Sequence, residues 1–125
     1  MFWTLTQVAL GGAAGAILRY GTQMGAQRLF GPGVPSGTLF VNVLGSFLIG
    51  IVFVWLIDKG LMRHAPFLLV GVLGAYTTFS TFSLDALLLW ERGLHGWAVG
   101  YALGSVILSL AAVVAGVWLA RGWLA

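Results

Sequence analysis

From Ala65 to Trp90 the chain holds one charged residue, Asp85. Such a run is long enough to cross a bilayer, which takes about 20 mostly apolar residues. Its middle does not suit a plain lipid-facing helix. The stretch 71–83 contains Gly71, Gly74 and the pair Thr77-Thr78, then Ser80, Thr81 and Ser83 around Phe79 and Phe82. Glycine weakens a helix through backbone freedom, and β-branched threonine crowds the preceding turn. Polar, irregular backbone at membrane depth is tolerated only where protein buries it or it lines a cavity. The expected element is a helix broken between Gly74 and Thr78, beside an ion site.

The rest of the chain frames that element. Only 7% of residues are charged and 60% are hydrophobic, against about 25% charged in a soluble domain. The chain therefore reads as an all-α integral membrane protein forming one domain over residues 1–125. Four spans are expected, at about 3–29, 37–57, 66–90 and 95–119. Gly31-Pro32-Gly33-Val34-Pro35-Ser36 is a clear loop. Pro66 suits the first turn of a helix. Met1-Phe2-Trp3-Thr4 lacks the basic start of a cleaved signal peptide, so the first apolar segment is expected to remain. Gly11 and Gly15 share a helix face, and Gly96, Gly100, Gly104, Ala112 and Gly116 mark a small-residue stripe on the fourth span. Both are expected to pack helices closely.

Lysine and arginine asymmetry across short loops sets topology, and here there is none. Arg19, Arg28 and Arg92 fall on one side, Lys59, Arg63 and Arg121 on the other. Insertion in both orientations follows. Two oppositely inserted copies then pair about an axis in the membrane plane, as inverted repeats do. The scattered basic residues form no stripe for nucleic acid, and no nucleotide-binding motif is present. The absence of cysteine excludes thiolate metal sites.

Several polar groups are candidates for ion chemistry. Asn42, within the second span, is either an interhelical hydrogen bonder or an amide donor to an anion. Phe79 and Phe82 are three apart. They either pack or offer the positive edges of their rings to an anion. Ser80 and Ser83 either bond back to the preceding turn or face a path. Carbonyls freed between Gly74 and Thr78 suit a hard cation. Arg19 either snorkels or makes a vestibule electropositive. Asp85 is either a pore-mouth group or interfacial.

With these residues the chain resembles the small fluoride channels, the Fluc or CrcB family. The resemblance covers nearly the whole chain. It rests on the stretches 11–20, from Gly11 to Tyr20, 37–47, from Gly37 to Phe47, and above all 74–83, from Gly74 to Ser83. It implies a passive fluoride-selective channel in the bacterial inner membrane that exports cytoplasmic fluoride and confers fluoride resistance. It implies an antiparallel dual-topology homodimer with two pores. A central sodium ion would be held by the backbone carbonyls of Gly74 and Thr77 from both subunits.

By the same resemblance, Phe79, Phe82 and Asn42 meet fluoride, with the Ser80 and Ser83 hydroxyls near the pore and Thr78 beside them. Tyr101, Ser105 and Ser109 form a polar track on the fourth span, and Arg19 lies near the vestibule. Asp85 stands where a glutamate is common, and Val113 where some members continue the hydroxyl track. The alternatives are a proton-coupled small dual-topology transporter, with Asp85 as its only mid-membrane acid, and a non-conducting assembly protein. An enzyme is disfavoured, since His64 and His95 lie in connections and no nucleophile has a base nearby in sequence.

Overall fold

A computed structural model describes residues 1–125. The chain is helical throughout and contains no strand. Helix α1 spans Phe2–Phe30 and α2 spans Ser36–Asp58. The third span opens with a 3-10 turn at Met62–His64 and π-helical turns at Pro66–Leu73. It continues as a short α3, Gly74–Tyr76, and resumes as α4, Phe79–Glu91. Helix α5 spans His95–Leu124. Three segments are long and apolar enough to cross a membrane: Ser36–Asp58, Met62–Glu91 and His95–Leu124. Four helical segments are thus present. The first, 29 residues long, is more polar, carrying Arg19 and Arg28 with Gln7, Gln23 and Gln27.

The helices pair through close backbone contact. Helix α1 runs along the third span. A Cβ on Gly11 would strike the Phe67 carbonyl, and one on Gly71 would lie 2.8 Å from the Gly11 Cα. Helices α2 and α5 meet at Gly50 and Gly116. A Cβ on Gly50 would lie 2.6 Å from the Val113 carbonyl, and one on Gly116 would strike that of Phe47. Small residues let backbones approach this far when the surrounding lipid supplies no hydrophobic drive. Gly11 and Gly15 therefore pack as their spacing predicts. The stripe on α5 does so only at Gly116. Gly96, Gly100 and Gly104 have open space where a Cβ would stand.

The break in the third span lies later than the glycines suggest. Gly74 to Tyr76 remains helical, and the extended residues are Thr77 (φ −86°, ψ 158°) and Thr78 (φ −152°, ψ 120°). Extended backbone suits β-branched side chains. Glycine lowers helix stability without supplying an alternative conformation that the neighbours can hold. Upstream, the Gly74 N–H reaches the Leu69 carbonyl, the long hydrogen bond of a π turn. Such turns are rare and frequent at functional sites.

Candidate functional site

The two extended threonines are fixed by α2. The Thr78 N–H donates to Asn42 Oδ1 at 2.8 Å, and Asn42 Nδ2 donates to the Thr78 carbonyl at 2.9 Å. One side-chain amide thus replaces both helical partners of an interrupted residue. Thr78 Oγ1 then accepts from the Thr81 N–H at 3.2 Å and starts α4 as its N-cap. The Gly45 position allows this approach, because a Cβ there would meet Thr77 Cγ2. The bonding has two consequences. Asn42 keeps one N–H uncommitted, since its amide carries two donors. The break also strips carbonyls of their donors. The Thr77 carbonyl accepts no hydrogen bond, the Thr77 N–H goes to Leu73, and the Thr78 N–H that would reach Gly74 goes to Asn42.

A cavity of about 360 Å³ opens at this point. Of the candidate residues it brings together Asn42, Thr77, Thr78, Phe79, Phe82, Ser105 and Ser109, and it adds Ser46. Ser105 is 5% exposed, yet its hydroxyl has no hydrogen-bond partner. A buried polar group without a partner is costly, so this hydroxyl is free to meet a ligand. Phe82 is buried, while Phe79 is 76% exposed at the rim. Their rings stack tilted with centroids 5.4 Å apart, and Tyr101 continues the row at 5.4 Å from Phe82.

Other candidates stand apart from the cavity lining. Ser83 donates to the Phe79 carbonyl at 2.9 Å, the back-bonding that its position in a helix allows. Ser80 is exposed and pairs with Thr78 Oγ1 at 3.3 Å. Tyr101 lies behind Phe82 and donates to Asp85 Oδ2 at 3.2 Å. Arg19 is half-buried on α1 and lines neither this cavity nor the polar one that follows.

A second, polar cavity contains Asp85. It measures about 240 Å³ and is lined by Gln23, Gln27, Thr38, Thr81, Asp85 and Arg92, with the 32–35 loop at its edge. The signals for it are spacings: Thr38 lies one turn before Asn42, Thr81 one turn after Thr78, and Arg92 two turns beyond Asp85. None of these is conspicuous without the fold that brings four segments together.

Known proteins show the same chain pattern. A family model described as CrcB-like protein, Camphor Resistance (CrcB), matches residues 6–117. A protein of Cereibacter sphaeroides (strain ATCC 17029 / ATH 2.4.9), named fluoride-specific ion channel FluC, is 57% identical over 125 residues, the whole of both chains. The protein of that name from Paracoccus denitrificans is 54% identical over 119 residues, 95% of each chain. That from Caulobacter vibrioides is 45% identical over 120 residues, 94% of each.

Proposed function

This chain belongs to the CrcB family, and from that premise we propose that it is a passive, fluoride-selective channel that lets cytoplasmic fluoride leave the cell. The family is one of fluoride ion channels and not of enzymes, and the apolar helices make the chain a multi-pass membrane protein. The observation that carries the reading is the cavity at the helix break. Its lining includes Asn42, which keeps one N–H uncommitted, and Ser105, whose hydroxyl has no partner, beside two phenylalanine rings.

Each of these groups interacts with an anion without trapping it. The Asn42 and Ser105 donors replace part of the hydration shell, and the ring edges of Phe79 and Phe82 add weak positive potential. No full positive charge lines the cavity. Conduction requires binding that favours ingress but still permits exit. Thr78 and Ser109 extend the hydroxyl lining, with Ser80, Ser83 and Tyr101 supporting it from behind. Arg19 acts at the vestibule.

The working unit is an antiparallel homodimer in the bacterial inner membrane, with two pores and with α1 as a fourth membrane span. Balanced positive charge supports insertion in both directions, and the exposed Phe79 at the cavity rim supports completion of each pore by a second copy. A sodium ion fits the break chemically. The free Thr77 carbonyl and the Gly74 carbonyl, deprived of its Thr78 donor, are hard oxygen ligands. These carbonyls, from both subunits, would hold it, and it would supply a positive charge at the break.

The test is fluoride efflux from liposomes holding the purified protein. Efflux that needs only a charge-balancing potassium ionophore, and persists when a protonophore collapses any pH gradient, is expected. Efflux that needs an imposed proton gradient would favour a proton-coupled transporter instead.

A further inference from the structure

The two sides of the break are held by different helices. Downstream, Thr78 is fixed by Asn42 of α2. Upstream, Tyr76 is the last helical residue before the extended pair, and it is tied to α1. Its hydroxyl lies 3.2 Å from Thr22 Oγ1. Thr22 has a single hydroxyl proton and gives it to the Leu18 carbonyl at 2.8 Å. Tyr76 is therefore the donor and Thr22 the acceptor. The Tyr76 side chain is buried. Its ring also reaches α2, where a Cβ on Gly45 would lie 3.4 Å from Tyr76 Cδ1. One side chain thus spans from α2 to α1 beside the break.

The backbone around Tyr76 has little support of its own. Residues Pro66–Leu73 before α3 are π-helical, and Thr77 and Thr78 after it are extended. Within α3, Gly74 and Ala75 carry no polar side chain, so Tyr76 is its one polar tether. The next residue is fixed at both ends. Thr77 bonds twice to the Leu73 carbonyl, through its N–H and its Oγ1, each at 3.1 Å. Its own carbonyl shares a planar trans peptide unit with the Thr78 N–H, so the two point in opposite directions. The Thr78 N–H points at Asn42, and the Thr77 carbonyl therefore points away from Asn42.

Resting on the sodium reading above, we propose that Tyr76 and Thr22 are positioning residues for the cation: their hydrogen bond sets α3 against α1 so that the Gly74 and Thr77 carbonyls are presented together. Neither side chain touches the ion. Both act through the backbone of a three-residue helix that has no regular turn on either side. A binding constellation needs its ligands held within about 0.5 Å by supporting contacts. Asn42 supplies that support from α2, and the Tyr76–Thr22 bond supplies it from α1. At membrane depth no water stands ready to replace the lost partner, so removing either hydroxyl leaves α3 free to shift along α1.

The experiment follows thermal unfolding of the purified protein against sodium concentration, with N-methylglucamine replacing sodium at constant ionic strength. A ligand that binds the folded state raises its stability once its concentration passes the dissociation constant. The variants are Y76F, which keeps the buried ring, T22V, T22S and the double variant T22V/Y76F. Thr22 is half-buried, so T22V carries the same test without altering the ring. In Y76F and in T22V, sodium stabilisation should set in at about three- to tenfold higher concentration than in the wild type, the effect of one hydrogen bond. T22S keeps the acceptor and should behave as the wild type. The double variant should be no worse than either single one, because both remove the same bond. Variants that unfold at a lower temperature by the same amount with and without sodium, with the onset unmoved, would overturn the positioning role. So would a double variant whose shift is the sum of the two singles. A folded wild type whose stability ignores sodium would overturn the sodium reading, and this inference with it.

Discussion

The third span and α5 are alike in length and class, yet only one is broken. Each runs 30 residues and is apolar enough to cross a membrane. The third span carries two glycines, Gly71 and Gly74, and α5 carries five. Helix α5 nevertheless runs unbroken from end to end, past Gly96, Gly100, Gly104 and Gly116. The third span breaks at two threonines, with its glycines still helical. The difference is a partner. Thr78 has Asn42 to take over both of its backbone hydrogen bonds, and nothing of the kind faces α5. In a membrane, where every backbone group must be satisfied within protein, a break forms where a neighbouring side chain replaces the helix's own bonds.

The largest effect should come from removing that partner. Asn42→Leu leaves two buried backbone groups of Thr78 unpaired, each costing about 1–3 kcal/mol. It should abolish fluoride efflux and lower the temperature at which the purified protein loses its monodisperse elution peak. A variant with undiminished stability would break the comparison. Phe82→Ala removes a buried ring and should destabilise by about 3–5 kcal/mol. Phe79→Ala, at an exposed rim position, should cost little stability while still reducing efflux. The two phenylalanines would thereby separate into a packing-and-pore residue and a pore residue.

Gly116→Ala sharpens the comparison from the side of α5. Its methyl group meets the Phe47 carbonyl, so thermal unfolding should show a loss of about 1–3 kcal/mol. Ser105→Ala should leave stability unchanged or slightly raised and slow efflux by about five- to tenfold, the equivalent of one hydrogen bond of about 1 kcal/mol. The smallest effect is expected at Gly100→Ala, which faces open space and gains up to about 1 kcal/mol of helix propensity. A strong loss there would show that the open stripe is covered in the assembled protein.

The helical class and the broken third span were legible because apolar length and charge scarcity act on whole segments. So was the role of Gly11 and Gly15, since a spacing of four sets one helix face against another. The exact site of the break was not legible, because it depends on Asn42 lying opposite Thr78 across 36 residues of chain. For Asn42 the sequence left two functions open, and the geometry uses one N–H for Thr78 while leaving another uncommitted. Of the α5 glycines, Gly116 packs against α2 within one copy, whereas Gly96, Gly100 and Gly104 face open space there, because spacing alone does not say which neighbour fills the groove. The polar cavity was legible only at Asp85, the lone charge of the third span, because the rest of its lining comes from α1, the first loop and α2 as well as α4.

The most direct test of the central claim is the reversal potential of the wild-type protein in a planar bilayer with fluoride on one side and chloride on the other. The structure and the family predict a current that reverses close to the fluoride equilibrium potential, with chloride contributing almost nothing. A current carried by chloride, or a folded, reconstituted protein that passes no current, would contradict the account.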